Sequence, residues 1–265
     1  MRRGWTDFLG QADTEGHAVE IYDDLDELAE SVATHLSTGF AAGGAALVVA
    51  RPAHTMRFRE ILAAAGWDLQ ALERDGRLLI ADAAETLEAI MDGDAPSQAR
   101  FEQVVGTLLD RAATNGSGAV RVFGEMVDLL SESGRPEAAL ALESLWDAAA
   151  ETRRFSLLCA YRLDVFDPHA QAGSLPLVCA AHSHVLPAHH ADRLARAVDL
   201  ALVDVLGETG AANVQLLVGA QIHEDRMPTS QLVLMWISDM MPGFAERVLA
   251  SARAHYDDAN ASAAA

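Results

Sequence analysis

Several residues able to do chemistry fall at the ends of apolar runs. Gly118–Leu130, GAVRVFGEMVDLL, reads as a short strand, Ala119–Phe123, a punctuating Gly124, and a helix whose first residue is Glu125. In an open parallel sheet ligands sit at the carboxyl ends of strands. Such a sheet would bring Tyr22, Arg51, Glu125 and Tyr161 to one edge, with His54 one helical turn beyond Arg51. Arg51 could anchor a carboxylate or phosphate, and Glu125 could accept a hydrogen bond or act as a general base. The competing reading is structural: a glutamate at a helix start satisfies the dipole, and an Arg–Glu pair ties a sheet edge. His17 opens the first strand and either bonds a neighbouring loop or lines the same pocket. A second group, Cys179, His182 and His184, followed by His189 and His190, offers soft metal ligands. Cys179 and His182, three apart, would share a helix face. The cluster has no CxxC and no acidic residue, so its bland reading is a cysteine packing a helix. A thiol sensor using Cys159 and Cys179 is the remaining option, although apolar surroundings would raise both pKa values.

The elements that must position these groups alternate. His17–Tyr22 reads as a strand and Asp23–Ala42 as an amphipathic helix with an acidic first turn. Ala45–Ala50 is a continuous apolar strand and Pro52–Ala65 a helix. Arg77–Ala81 is a strand, Ala84–Met91 a short helix and Asp92–Pro96 a loop. Ser97 is placed as the cap of a helix running to Thr114. After Glu125 the helix ends at Gly134. Pro136 opens the next helix, with Leu140, Leu142, Leu145 and Trp146 buried, and Phe155–Tyr161 is a fifth strand. The fold class expected is therefore α/β, a parallel sheet with helices on both faces. Residues 168–187 read as a helix. Beyond Pro187 the pattern changes to a small α+β element over 188–258. It comprises a helix at His189–Leu206, strands at Asn213–Gln221 and Gln231–Ser238 joined by a hairpin loop, and a closing helix, Pro242–Tyr256. Residues 1–16 read as a flexible N-terminus and 259–265 as a disordered tail.

With 265 residues the chain can bury one sizeable core and an appendage. The formal charge of -20 argues against direct nucleic-acid or anionic-membrane contact. There is no lysine, which excludes a lysine Schiff base and a P-loop lysine. Two cysteines imply no disulfide framework. No signal peptide and no bilayer-spanning apolar run is read, so a cytoplasmic location is expected.

HAVEIYDD at 17–24, AALVVARPAH at 45–54, RVFGEMVDLL at 121–130 and FSLLCAY at 155–161, with CAAHSHVLP at 179–187, resemble the MEDS domain, named for methanogens, methylotrophs and a dichloromethane-metabolism regulator. The resemblance implies a RecA- or KaiC-like core without nucleotide machinery. It also implies a sensing role toward simple hydrocarbon derivatives, upstream of a kinase, an anti-sigma factor or a DNA-binding module in transcription regulation. The loop after the first strand, Tyr22-Asp23-Asp24-Leu25-Asp26, agrees with lost nucleotide chemistry: it has no glycine and three carboxylates.

The expected function is a non-catalytic cytoplasmic sensor, ligand-binding through Tyr22, Arg51, His54, Glu125, Tyr161 and His17. It would bind a small organic effector, signal through a regulatory protein partner, form a homodimer and need no cofactor. The alternative is a ligand-free interaction scaffold, and the third a metal- or thiol-based sensor. An apolar cavity rimmed by Arg51, Glu125 and Tyr161 would favour the sensor. The same groups paired to one another would favour the scaffold. On this reading Glu125→Gln and Arg51→Ala weaken effector binding and leave the melting temperature nearly unchanged.

Overall fold

A computed structural model describes residues 16–117, 120–185, 191–221 and 227–263. It forms two compact units, one of residues up to 162 with 181–183, the other of 163–180 with 184 onward.

The first unit alternates as the apolar runs predict. Its elements are β1 (Gly16–Tyr22), α1 (Leu25–Ala41), β2 (Ala46–Ala50), α2 (Pro52–Ala64), α3 (Leu69–Arg74), β3 (Leu78–Asp82) and α4 (Ala83–Ile90). The expected loop at Asp92–Pro96 holds a minimal antiparallel hairpin, β4 (Met91–Asp92) with β5 (Ala95–Pro96). Then come α5 (Gln98–Phe101), a π-helical turn at Glu102–Gly106, α6 (Thr107–Asn115), β6 (Val120–Gly124), α7 (Met126–Glu132), α8 (Pro136–Ala150) and β7 (Phe155–Arg162). Ser97 precedes α5 but its side chain makes no capping bond, contrary to expectation. Asp24 does cap: its Oδ1 accepts from Asp26 N–H at 2.6 Å and Glu27 N–H at 3.3 Å.

The strands run in the order β3-β2-β6-β7-β1, and each of these neighbouring pairs is parallel. The expected adjacency of the Val120–Gly124 strand to Ala46–Ala50 is therefore present. Pairing of Val19 with Cys159, Ile21 with Tyr161 and Gly124 with Cys159 puts these residues on one face. There α8 covers them, and Trp146 packs edge-on to Phe101 and Phe155 with centroids 5.1 and 6.1 Å away. Glu20, Arg121 and Ser156 lie on the other face, under α1. Gly39 lets α1 sit close, because a Cβ there would stand 2.5 Å from Arg121 Cγ.

His35 on α1 is buried against this face. Its Nε2–H donates to Val122 O at 3.2 Å and its Nδ1 faces the Arg121 guanidinium at 3.4 Å, the neutral tautomer on both counts. Burial first, then Arg121, push its pKa down from 6.5 to about 3. The unfolded chain thus takes up this proton before the folded one does. Stability carried by neutral His35 is complete above pH 6.5 and drains away as pH falls toward 3. Urea unfolding across that window should show a shallower acid slope for His35→Gln, by close to one proton. An identical slope in the variant would rule out His35 as the titrating group.

The second unit departs from the α+β expectation. It holds α9 (Pro168–Ala172), α10 (Ser174–Ala181, whose last residue belongs to the first unit), the two-residue β8 (His184–Val185), and the helical stretches α11 (Ala191–Gln221), α12 (Thr229–Met240) and α13 (Pro242–Ala263). The helix expected over 168–187 is thus two short ones broken at Gly173. The expected strands at Asn213–Gln221 and Gln231–Ser238 are helical. Burial explains why: Ala211, Val214 and Val218, and Ser230, Val233, Leu234 and Ile237, are buried at spacings of three and four. Residues 222–226 of the expected hairpin loop lie outside the described ones. The α13 helix also continues to Ala263, into the tail expected to be disordered. The stretch Ala191–Ala220 is apolar and long enough to cross a bilayer by length alone. Gly207, at φ 71° and ψ 167°, breaks it into two shorter helices, each below the ~20 residues a span needs.

Candidate functional site

The chain leaves β2 toward β3 on one side, and leaves β6 toward β7 on the other. This reversal makes the carboxyl ends of β2 and β6 a topological switch point, where open α/β sheets place their ligands. Arg51 is the first residue after β2 and Glu125 the first after β6. Glu125 is fully buried, and its side chain makes no capping bond to its own helix. One carboxylate oxygen accepts the Arg51 backbone N–H. The other pairs with His54 Nδ1 at 2.6 Å and Arg51 Nη1 at 3.5 Å. A ring nitrogen facing a carboxylate oxygen must carry the proton, so His54 donates through Nδ1.

One helical turn on, the buried Asp128 joins the group. Its Oδ2 accepts from Arg51 Nη1 at 2.8 Å and Tyr22 OH at 3.2 Å, and its Oδ1 accepts from Arg162 N–H at 2.8 Å. Glu132, half-exposed, takes Arg51 Nη2 at 2.8 Å. Burial works against the Arg51 charge, but the Asp128 hydrogen bond and the carboxylates around it override this and raise its pKa. Burial, then Asp128 and Glu125, push the Tyr22 hydroxyl above its usual range. Tyr22, Arg51, His54 and Glu125 are therefore together, as expected, and Asp128 completes them. Sequence reasoning missed Asp128. Its signal was a carboxylate three residues after Glu125 on an otherwise apolar helix face.

Tyr161 and His17 are elsewhere. Tyr161 shares the Cys159 face of β7, beneath α8, and its hydroxyl donates to Glu143 Oε1 at 2.6 Å. Being at a strand end sets the edge a residue is near; the alternation along the strand sets its face. His17 does bond a loop through its backbone, donating to Ser183 Oγ at 3.2 Å and accepting from Ser183 N–H at 2.9 Å. Its ring turns inward, with Nδ1 2.9 Å from Asp147 Oδ1, and Nε2 3.1 Å from Glu143 Oε2 and 3.3 Å from Cys159 Sγ. His182 Nε2 is 3.3 Å from Glu143 Oε1, and the two imidazoles lie 4.3 Å apart. Burial alone would lower the His17 pKa; Cys159, Asp147 and Glu143 around it reverse this, to about 12. For His182 burial is likewise outweighed by Glu143, giving about 9. Burial opposes the Glu143 charge too, but His182 and His17 hold its carboxyl below the usual carboxylate range.

The metal ligands considered from sequence are thereby regrouped. The shared helix face of Cys179 and His182 fails because α10 ends at Ala181. Among the described residues, His182 groups with His17, Glu143 and Cys159, and neither Cys179 nor His184 is a member. Cys179 is buried, which raises its thiol to about 12 and keeps it protonated. His189 and His190 lie outside the described residues.

Residues 16–176 match the family model described as MEDS, the MEthanogen/methylotroph, DcmR Sensory domain. The chain belongs to this family. The MEDS match takes in every residue of the switch-point cluster and, of the second cluster, all but His182. A search of individually curated proteins returned no match. Membership carries a sensory or regulatory role at the level of the family.

Proposed function

We propose that this MEDS protein is a non-catalytic cytoplasmic sensor whose responsive element is the ion cluster at the β2/β6 switch point. The observation that carries this reading is Arg51, which holds two buried carboxylates from one helix while standing partly open to solvent itself. A small organic effector with a polar or anionic end would compete for Arg51 and His54. Displacing Arg51 would free Glu125 and Asp128, whose partners come from β1, the residue that follows β2, α2 and β7. An effector would thus alter the ends of three strands at once. A simple hydrocarbon derivative carrying a hydroxyl or carboxylate has this chemistry. The loss of nucleotide binding in a RecA-like ancestor is supported by Asp24, whose carboxylate fills the α1 amides that would otherwise face a phosphate. The output would pass to a regulatory protein partner or a second copy of the chain. In the helical unit, Leu200, Val203, Leu216 and Leu217 are exposed and available for that contact.

A second reading, the ligand-free scaffold, is favoured by one specific feature: Arg51, His54, Glu125 and Asp128 already satisfy one another. Native mass spectrometry of freshly purified protein, compared with the denatured mass, separates the two. A non-covalent organic mass supports the sensor, and a bare chain that assembles with a partner regardless of added small molecules supports the scaffold. The burial of Glu125 and Asp128 also revises the stability expected of variants. Arg51→Ala removes the guanidinium from two buried carboxylates, so its melting temperature should fall measurably, where an unpaired surface arginine would leave it unchanged. Glu125→Gln keeps the size and one acceptor oxygen and should lose less stability while still losing any effector retained by the wild type. Retention of that effector by Glu125→Gln would remove the switch point as its site.

A further inference from the structure

We infer that His17, Glu143, Cys159 and His182 form a buried binding site for a single borderline-soft divalent transition metal of the zinc class. The ligand atoms, two imidazole nitrogens, a thiol sulfur and a carboxylate oxygen, all lie within 4.8 Å of one another. Their separations are those of a coordination polyhedron. Zinc bonds of about 2.0–2.3 Å place tetrahedral ligand atoms roughly 3.3–3.8 Å apart. Here His17 Nε2 to Glu143 Oε2 is 3.1 Å, His17 Nε2 to Cys159 Sγ is 3.3 Å, and Cys159 Sγ to Glu143 Oε2 is 3.6 Å. His182 Nε2 approaches the same carboxylate at 3.3 Å. Three edges of a tetrahedron exist before any ion enters, and the fourth ligand stands beside them.

The surroundings have the form that metal sites need. A ligating imidazole donates its other ring nitrogen to a carboxylate or carbonyl, which fixes the tautomer and raises its basicity. His17 does this through Nδ1 to Asp147 Oδ1 at 2.9 Å, leaving Nε2 aimed at the cluster. Tyr161 OH pins the Glu143 carboxylate at 2.6 Å. The positions come from separate elements: β1, α8, β7 and the segment after α10. Binding would therefore tie these elements together as well as neutralise the buried charges. Hard cations such as magnesium or calcium, which take oxygen ligands, fit this donor set poorly.

The test uses the full chain. Purified protein is stripped with chelator, loaded with zinc or cobalt(II), and passed through a desalting column. The expected result is one retained metal per chain. The cobalt form should show the intense visible bands of a four-coordinate site and a near-ultraviolet thiolate-to-cobalt charge-transfer band. Cys159→Ser should abolish that band, and Cys179→Ser should keep it. Asp147 is more than half exposed, so Asp147→Asn should fold normally. By removing the carboxylate behind His17, it should weaken zinc binding roughly 10- to 100-fold against a competing chelating dye. The inference is overturned if wild type retains no metal, or if its cobalt spectrum is weak and octahedral. A band that survives Cys159→Ser, or an Asp147→Asn affinity equal to wild type, overturns it too. The wild-type spectrum decides the matter even if Cys159→Ser does not fold.

Discussion

Glu143→Ala, studied with chelator present, should destabilise the protein by about 3–5 kcal/mol, the cost of removing one partner from a buried ionic network. Glu143 is the hub of its cluster. It takes the Tyr161 hydroxyl, faces both imidazoles and accepts from the Cys159 thiol. Without it the His17 and His182 rings keep their burial and lose the charge that balances it. The loss should depend on pH in a definite direction. Burial works against the His182 charge, but Glu143 outweighs it, so in the wild type His182 holds its proton up to about 9, against 6.5 in the unfolded chain. The stability tied to that proton is complete below pH 6.5 and declines as pH rises toward 9. The gap between wild type and variant should therefore be widest in mild acid and narrow in alkali. Urea midpoints from pH 5 to 9, followed by tryptophan fluorescence and circular dichroism, would measure it. A gap that is flat or widens with pH would show that the His182–Glu143 pairing does not carry the stability.

Asp128→Ala should produce a loss of similar size. Three donors lose their acceptor together: the Arg51 guanidinium, the Tyr22 hydroxyl and the Arg162 backbone N–H. Each is at least partly buried, and an unsatisfied buried donor costs about 1–3 kcal/mol. Glu132→Ala supplies the contrast. Glu132 also pairs with Arg51 but is half-exposed, so its removal should cost about 0–1 kcal/mol. Equal midpoints for the two variants would mean that Asp128 does not hold the strand ends together.

The parallel sheet was legible because continuous apolar runs such as AALVVA have few uses other than a strand buried on both faces. The switch-point residues were legible because they directly follow such runs. The second cluster was hidden for a particular reason. Glu143 lies within the apolar stripe of its helix, beside Leu142 and three residues before Trp146, and the sequence pattern gives that stripe to Leu140, Leu142, Leu145 and Trp146. In the fold Leu140 and Leu145 are only partly buried and Glu143 is fully so. A charged residue inside a buried helical stripe signals a polar partner across the interface, and His17 and Cys159 on the facing strands are those partners. The helices at 208–221 and 229–240 were misread because runs such as QLLV and QLVLMWI suit either a strand or a buried helix. Only the spacing of three and four in what is buried distinguishes them.

The pairing of β1 with β7, Gly16 opposite Ser156, has a consequence for how the chain is made. The ribosome emits β1 among the first described residues and β7 only after every other strand of the first unit's sheet. At about 5–20 residues per second that separation is a wait on the order of 10 s. Throughout it, AVEIY lacks the strand it pairs with, while α1 can already pack on β2 and β6. The nascent chain is therefore at greatest risk of aggregation at β1, and a chaperone acting on it would be needed there until β7 emerges.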